Sequence, residues 1–107
     1  MAKQVITVPD AVEGIRVDLW GVEFDVVPPT KSLAKKAERH VLAMVEAETN
    51  DELVDAIGGF FDLKLIPLDR RRTRPSTIIR RRWDDDKVSI PQLQALAERL
   101  RDAERPI

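Results

Sequence analysis

The stretch Ile15-Arg16-Val17-Asp18-Leu19-Trp20-Gly21-Val22-Glu23-Phe24-Asp25-Val26-Val27 decides how the chain begins to fold. On both sides of Trp20-Gly21 apolar and polar residues alternate, the period-two pattern of strands with one buried face. If Trp20-Gly21 forms a two-residue turn, Leu19 lies opposite Val22, Val17 opposite Phe24 and Ile15 opposite Val26. Six apolar side chains then share one face, and a slip of one residue would turn one strand's set toward water. Gly21 can supply the positive φ that such a turn needs. A lone hairpin is marginal in water, so its apolar face requires a cover.

The cover is expected from helices downstream. Pro28-Pro29-Thr30 ends the β region, and Leu33, Ala37, Val41, Met44 and Val45 then recur at helical spacing over about 32–48. Thr49 and Glu52 form a capping box that opens a second helix over about 50–66, carrying Leu53, Val54, Ile57, Phe60 and Phe61. Gly58-Gly59 either weakens this helix or admits a close neighbour. After an exposed connection at 69–75, Pro75 and Ser76 suit the first turn of a third helix at about 76–83. Asp84-Asp85-Asp86-Lys87 reads as a polar turn. Ser89 and Gln92 form a second capping box, opening a helix at about 90–104 that buries Leu93, Leu96, Ala97 and Leu100. Upstream of the hairpin, Val5 to Val8 reads as a further short strand stopped by Pro9-Asp10. The expectation is one domain over 1–107: a helix-dominant α+β fold, its hairpin (about 15–27) packed on four helices.

Composition narrows the function. At 107 residues and 12.2 kDa the chain has room for one modest core. It holds no cysteine, which removes disulfides, thiolate nucleophiles and Cys-ligated zinc. No apolar run is long enough to span a membrane. Met1 to Val5 lacks the apolar segment of a signal peptide, so a cytoplasmic location is expected. Eighteen basic residues nearly balance nineteen acidic ones, for a net charge of −1, which gives no general pull toward nucleic acid or acidic lipid.

Catalytic constellations are missing. His40 is the single histidine and lies on the flank of the first expected helix, without an orienting partner or nucleophile in view. Ser32, Ser76 and Ser89 all stand at expected helix starts, where capping accounts for them. Asp84, Asp85 and Asp86 are adjacent rather than alternating, and no glycine follows, so they do not make a calcium loop. The four glycines form no phosphate-binding motif. No enzyme activity, cofactor or metal is expected. The strongest local feature is the run of arginines at 70, 71, 72, 74, 80, 81 and 82, followed by Trp83. It could meet phosphates or an acidic partner, with Trp83 stacking on a base, although Asp69 and Asp84–Asp86 flank it and the rest of the chain is acidic. Trp20, at the hairpin tip, either anchors a partner or folds back over a helix.

Residues 75–107, PSTIIRRRWDDDKVSIPQLQALAERLRDAERPI, have a Pro-led helix, a Trp at 83 and a short acidic turn. A Val88-Ser89 step then opens an amphipathic helix through Leu93, Leu96 and Leu100 to Ala103-Glu104-Arg105-Pro106. This stretch resembles the C-terminal part of the tail assembly chaperones of long-tailed phages that infect actinobacteria. The hairpin ending Phe24-Asp25-Val26-Val27-Pro28-Pro29, followed by two helices, is similar in outline. The arginine runs are heavier than in that family. The resemblance implies a non-enzymatic protein of the host cytoplasm that binds the tape measure protein, keeps it soluble and is absent from the finished virion. It also implies a longer, frameshifted product of which this chain is the short form, and leaves self-association open. A groove for a client helix is a standard recognition mode; Val41, Met44, Val45, Ile57, Phe60 and Phe61 are the candidate lining, with Gly58-Gly59 allowing close approach. The alternative is a small nucleic-acid-binding or regulatory protein acting through residues 70–83.

Overall fold

The computed structural model describes residues 14–104; the expected strand at 5–8 lies outside them, as does the end of the chain from 105. Strands β1 (Arg16–Leu19) and β2 (Val22–Val26) form the expected hairpin, with Leu19 paired to Val22 and Val17 to Phe24. Val26 N–H extends the pairing by donating to the Ile15 carbonyl at 2.9 Å. The turn places Trp20 at φ 50° and Gly21 at φ 92°, both positive as the right-handed twist of a two-residue hairpin demands. Asp18 Oδ1 accepts from the Gly21 N–H at 2.7 Å and closes it. Leu19, Phe24 and Val26 are buried, and Ile15, Val17 and Val22 pack beside them, so all six share the core side.

Helix α1 spans Lys31–Glu46, α2 Asn50–Lys64, α3 Pro75–Asp84 and α4 Ile90–Glu104. The architecture is helix-dominant α+β, as expected. One boundary differs in kind. The second helix, expected to reach residue 66, stops at Lys64, and Leu65–Pro67 form a third strand, β3, antiparallel to β2. The cause is local: Pro67 disfavours helical backbone at Ile66, and an extended Leu65 drops its side chain into the core. The Val27 N–H donates to the Lys64 carbonyl at 2.8 Å and the Leu68 N–H to the Glu23 carbonyl at 3.1 Å, which seals β3 at both ends. Its proline is tolerated because β3 is an edge strand in the order β1-β2-β3.

Capping also departs from expectation at two serines. The Leu33 N–H is capped by Thr30 Oγ1 at 3.2 Å, so Ser32 is an ordinary exposed helical residue. Ser76 is not a cap of its own helix: its N–H and hydroxyl donate to Asp62 of α2 at 2.9 and 2.6 Å. The α3 N-terminus is therefore secured from a neighbouring helix. The boxes at Thr49–Glu52 and Ser89–Gln92 form, although the Glu52 carboxylate takes the N–H of Glu48 rather than that of Thr49.

Helix α2 lies at the centre, in contact with α1, α3, α4 and β3. Val54, Ile57 and Phe61 bury its faces against Leu19, Phe24, Ile79 and Leu93. Gly58-Gly59 does not interrupt it. A Cβ at Gly58 would stand 2.9 Å from Ser76 Cβ, and one at Gly59 2.8 Å from the His40 ring. The two glycines thus admit α3 on one side and α1 on the other, and the close approach is made within the chain rather than to a client. Among the described residues no helix is long and apolar enough to cross a membrane.

Candidate functional site: an apolar groove and an arginine segment

Helix α1 spaces its apolar residues too widely for one neighbour to cover. Leu33 is its one buried residue; Ala37, His40 and Met44 turn toward α2 and are half-covered. The adjoining stripe, Ala34, Val41, Leu42 and Val45, is left exposed, Val45 at 77 %. Helix α4 runs along the other side of α2, and between α1 and α4 a cleft of about 740 Å³ remains open. Its walls are Ala34, Ala37, Val41 and Val45 from α1 and Ala97 and Leu100 from α4, with Met44 and Phe60 at the floor. Glu38 and Leu42 mark one rim, Glu98 and Arg101 the other, and Lys64 lies buried at the base.

Of the six residues expected to line a client groove, Val41, Met44, Val45 and Phe60 are brought together here. Ile57 and Phe61 are not: both are buried in the core, Phe61 at 0 % exposure, with its ring edge-on to Phe60 at 5.7 Å. Ile57 and Phe61 are four positions apart and share the α2 face against the sheet, whereas Phe60 points off that face. The α4 wall was not among the expected residues. Ala97 and Leu100 read as core from the α4 sequence alone; Leu100 is buried and Ala97 half-buried, and only the placement of α4 across the cleft from α1 brings them to its wall.

The arginine segment divides into residues that build the fold and residues that do not. Arg80 reaches Asp55 at 3.0 Å, Asp84 at 3.2 Å and Asp51 at 3.8 Å, tying α3 to the start of α2. The Asp55 hydrogen bond foremost, and the charges around it, hold the Arg80 guanidinium above its usual pKa. Arg82 stacks over the Trp20 ring at 4.4 Å, so the hairpin tip folds back on α3. Trp83 is half-buried and donates its indole N–H to Asp51 Oδ1 at 2.7 Å. Arg70, Arg71, Arg72, Arg74 and Arg81 remain exposed. Asp69 closes the loop that carries four of them, accepting from the Thr73 N–H at 3.0 Å and the Thr73 hydroxyl at 2.7 Å. That hydroxyl bond above all holds the Asp69 carboxyl below its ordinary pKa.

The remaining candidates make contacts within the fold. His40 packs its ring over Gly59. Asp84 is an Arg80 partner, and Asp86, at φ 57°, turns the chain between α3 and α4. Among the described residues no three His, Asp or Glu side chains converge to hold a metal ion. Comparison of the chain with protein-family models, curated proteins and solved structures finds no match.

Proposed function

We propose that this chain is a non-enzymatic binding protein that holds an amphipathic helix of a larger client in the α1/α4 groove, in the manner of a tail assembly chaperone. The observation that carries the reading is the groove itself: an open apolar cleft on a small, highly charged chain. Contiguous apolar surface of this kind marks interaction sites on soluble proteins. From Ala34 to Val45 the α1 wall runs twelve residues, about 17 Å or three helical turns. Ala34, Ala37 and Ala97 keep the walls low enough for a helix to approach closely. The resemblance of residues 75–107 names the client as the tape measure protein, whose apolar helical segments would otherwise aggregate. On this reading the chain acts in the host cytoplasm and leaves before the tail is complete, with a longer frameshifted form of itself as co-partner. The reading through residues 70–83 as a nucleic-acid site is left with less support, because Arg80, Arg82 and Trp83 are engaged within the fold.

The test is co-expression with a tape measure protein. Val41→Lys/Val45→Lys places two charges in the groove on side chains that are already exposed, and lysine is the better helix former. The wild-type chain is expected to keep the client soluble and to co-purify with it, while the folded double variant does neither. A wild-type chain that leaves the client insoluble, or a variant that still captures it, overturns the proposal.

A further inference from the structure

The side chains of five of the seven arginines between 70 and 82 form no hydrogen bond, ion pair or ring contact among the described residues. Arg70, Arg71, Arg72, Arg74 and Arg81 are exposed, and none lies within ion-pair distance of a carboxylate among the described residues. Arg81 shares a recess with Asp55, Asp84 and Asp85, whereas beside Arg70, Arg71, Arg72 and Arg74 stand two acids, each hydrogen-bonded within the fold. Asp69 is held by Thr73, and Asp62, which shares a shallow recess with Arg72 and Arg74, gives both oxygens to Ser76. Counting both acids in full, the four loop arginines less two negative charges still leave +2 there. The loop is fixed rather than loose: the Arg72 N–H donates to the Asp69 carbonyl at 3.2 Å, and Arg72 is held at φ 51°. Arg74 and Arg81 are seven residues apart, so they extend the patch about 10 Å along one side of α3. Arg74 is the N-cap of α3 and Arg72 lines one recess with Arg74 and Pro75, so both stand at the positive end of the α3 dipole, where helices favour acids. That placement costs the fold, and an anion bound from outside would relieve it.

We propose that these five arginines form a docking surface for an acidic polypeptide segment, apart from the α1/α4 groove and independent of what the groove holds. Guanidinium forks match carboxylates bidentately, and a loop already fixed in place loses little entropy when it binds. A nucleic acid strand fits less well. Single-stranded binders add aromatic platforms, but Trp83 is bonded to Asp51 and Trp20 lies beneath Arg82. Beyond Arg81 the exposed Asp84–Asp86 turn closes the track to a longer polyanion. A second copy of the chain offers that same turn, yet Asp84 is already paired with Arg80, leaving two carboxylates for five arginines. The partner segment therefore needs its own run of acids, about four to six residues.

The experiment uses a fluorescein-labelled decapeptide with eight Asp or Glu residues, followed by anisotropy at low and moderate salt. A single-stranded decanucleotide serves as the competing probe, and sedimentation follows the chain alone. The wild-type chain is expected to bind the peptide, about tenfold more weakly at 0.3 M than at 0.05 M NaCl. Arg70→Glu/Arg71→Glu is expected to lose at least about tenfold in affinity with an unchanged circular dichroism spectrum, and Arg70→Lys/Arg71→Lys, which keeps the charge but not the fork, to lose less. Val41→Lys/Val45→Lys should bind as the wild type does, which separates this surface from the groove. Equal binding by the Glu variant, or tighter binding of the oligonucleotide than of the peptide, overturns the proposal. So does self-association of the wild-type chain that the Glu variant abolishes.

Discussion

Alanine at Gly58 would set a methyl group 2.9 Å from Ser76 Cβ and 3.1 Å from Ser76 Cα. Two effects oppose one another. Removing a glycine from a helix interior gains about 1 kcal/mol, whereas forcing an extra methyl into a packed contact costs about 1–3 kcal/mol. Ser76 cannot retreat, because its N–H and hydroxyl are tied to Asp62, one turn further along the same helix. The contact is also partly with backbone, so the upper end of the cost applies and the net is about 2 kcal/mol of destabilisation. For a domain of this size that lowers Tm by about 8 °C or somewhat more. Gly59 is the internal control. Alanine there meets the His40 ring at 2.8 Å, but that ring lies on α1, a helix with one buried residue, and can swing aside. The helix-propensity gain then survives, and Tm stays level or rises by a few degrees. Thermal unfolding of both variants beside the wild type reads the difference. If Gly58→Ala melts at or above the wild type, or if the two variants move together, Gly58 does not set the distance between α2 and α3.

Three further outcomes are expected. Phe61→Ala empties a fully enclosed site and should cost about 3–5 kcal/mol, while Phe60→Ala at the half-covered groove floor should leave a folded chain with weakened client capture; denaturant unfolding beside client pull-down separates them. Arg80→Met leaves Asp51, Asp55 and Asp84 facing one another, so Tm should fall, and fall less in 0.5 M NaCl than at low salt. The Asp69 carboxyl titrates lower in the folded chain than in the unfolded one, so its contribution is full above about pH 4 and is lost as pH drops through the folded value. Protection of the Thr73 amide, taken relative to its intrinsic exchange rate at each pH, should fall over that interval, and Asp69→Asn should remove this pH dependence.

The hairpin was legible because alternation and turn chemistry point to one register, and the helices because their apolar spacing and two capping boxes agree. What escaped reading were features that depend on residues far apart. Leu63 to Ile66 is an apolar run with no period of its own, and only the free edge of β2 makes its second half a strand. Asp62 and Ser76 are fourteen residues apart, so a cap supplied by a neighbouring helix leaves no local signature. The seven arginines look alike in sequence; Arg80 and Arg82 differ from the others only in facing α2 acids and the hairpin tryptophan. Of the six residues expected to line a groove, four do line the cleft, three of them because the α1 stripe is wider than one neighbour requires. Ile57 and Phe61 were not separable from Phe60 without knowing which face of α2 meets the sheet.

The uneven burial of α1 has a consequence for how binding would register. Helix α1 packs along α2, yet Val41, Leu42 and Val45 face outward and contribute little to holding it. Such a helix belongs to the low end of local stability, where opening costs least. A client helix seated between α1 and α4 would cover that stripe and raise the cost of opening α1 first. A client at a hundred times its Kd adds about 2.7 kcal/mol to the bound state. Hydrogen exchange should therefore slow in α1 most, by up to about a hundredfold, and little in α3, whose Ser76, Arg80 and Trp83 are already tied to α2. An acidic peptide on the arginine loop should give the reverse pattern, protecting residues 69–74 and leaving α1 unchanged. Protection spread evenly over the chain by either ligand would mean that the domain opens only as a whole, and that the exposed α1 face has no separate role in binding.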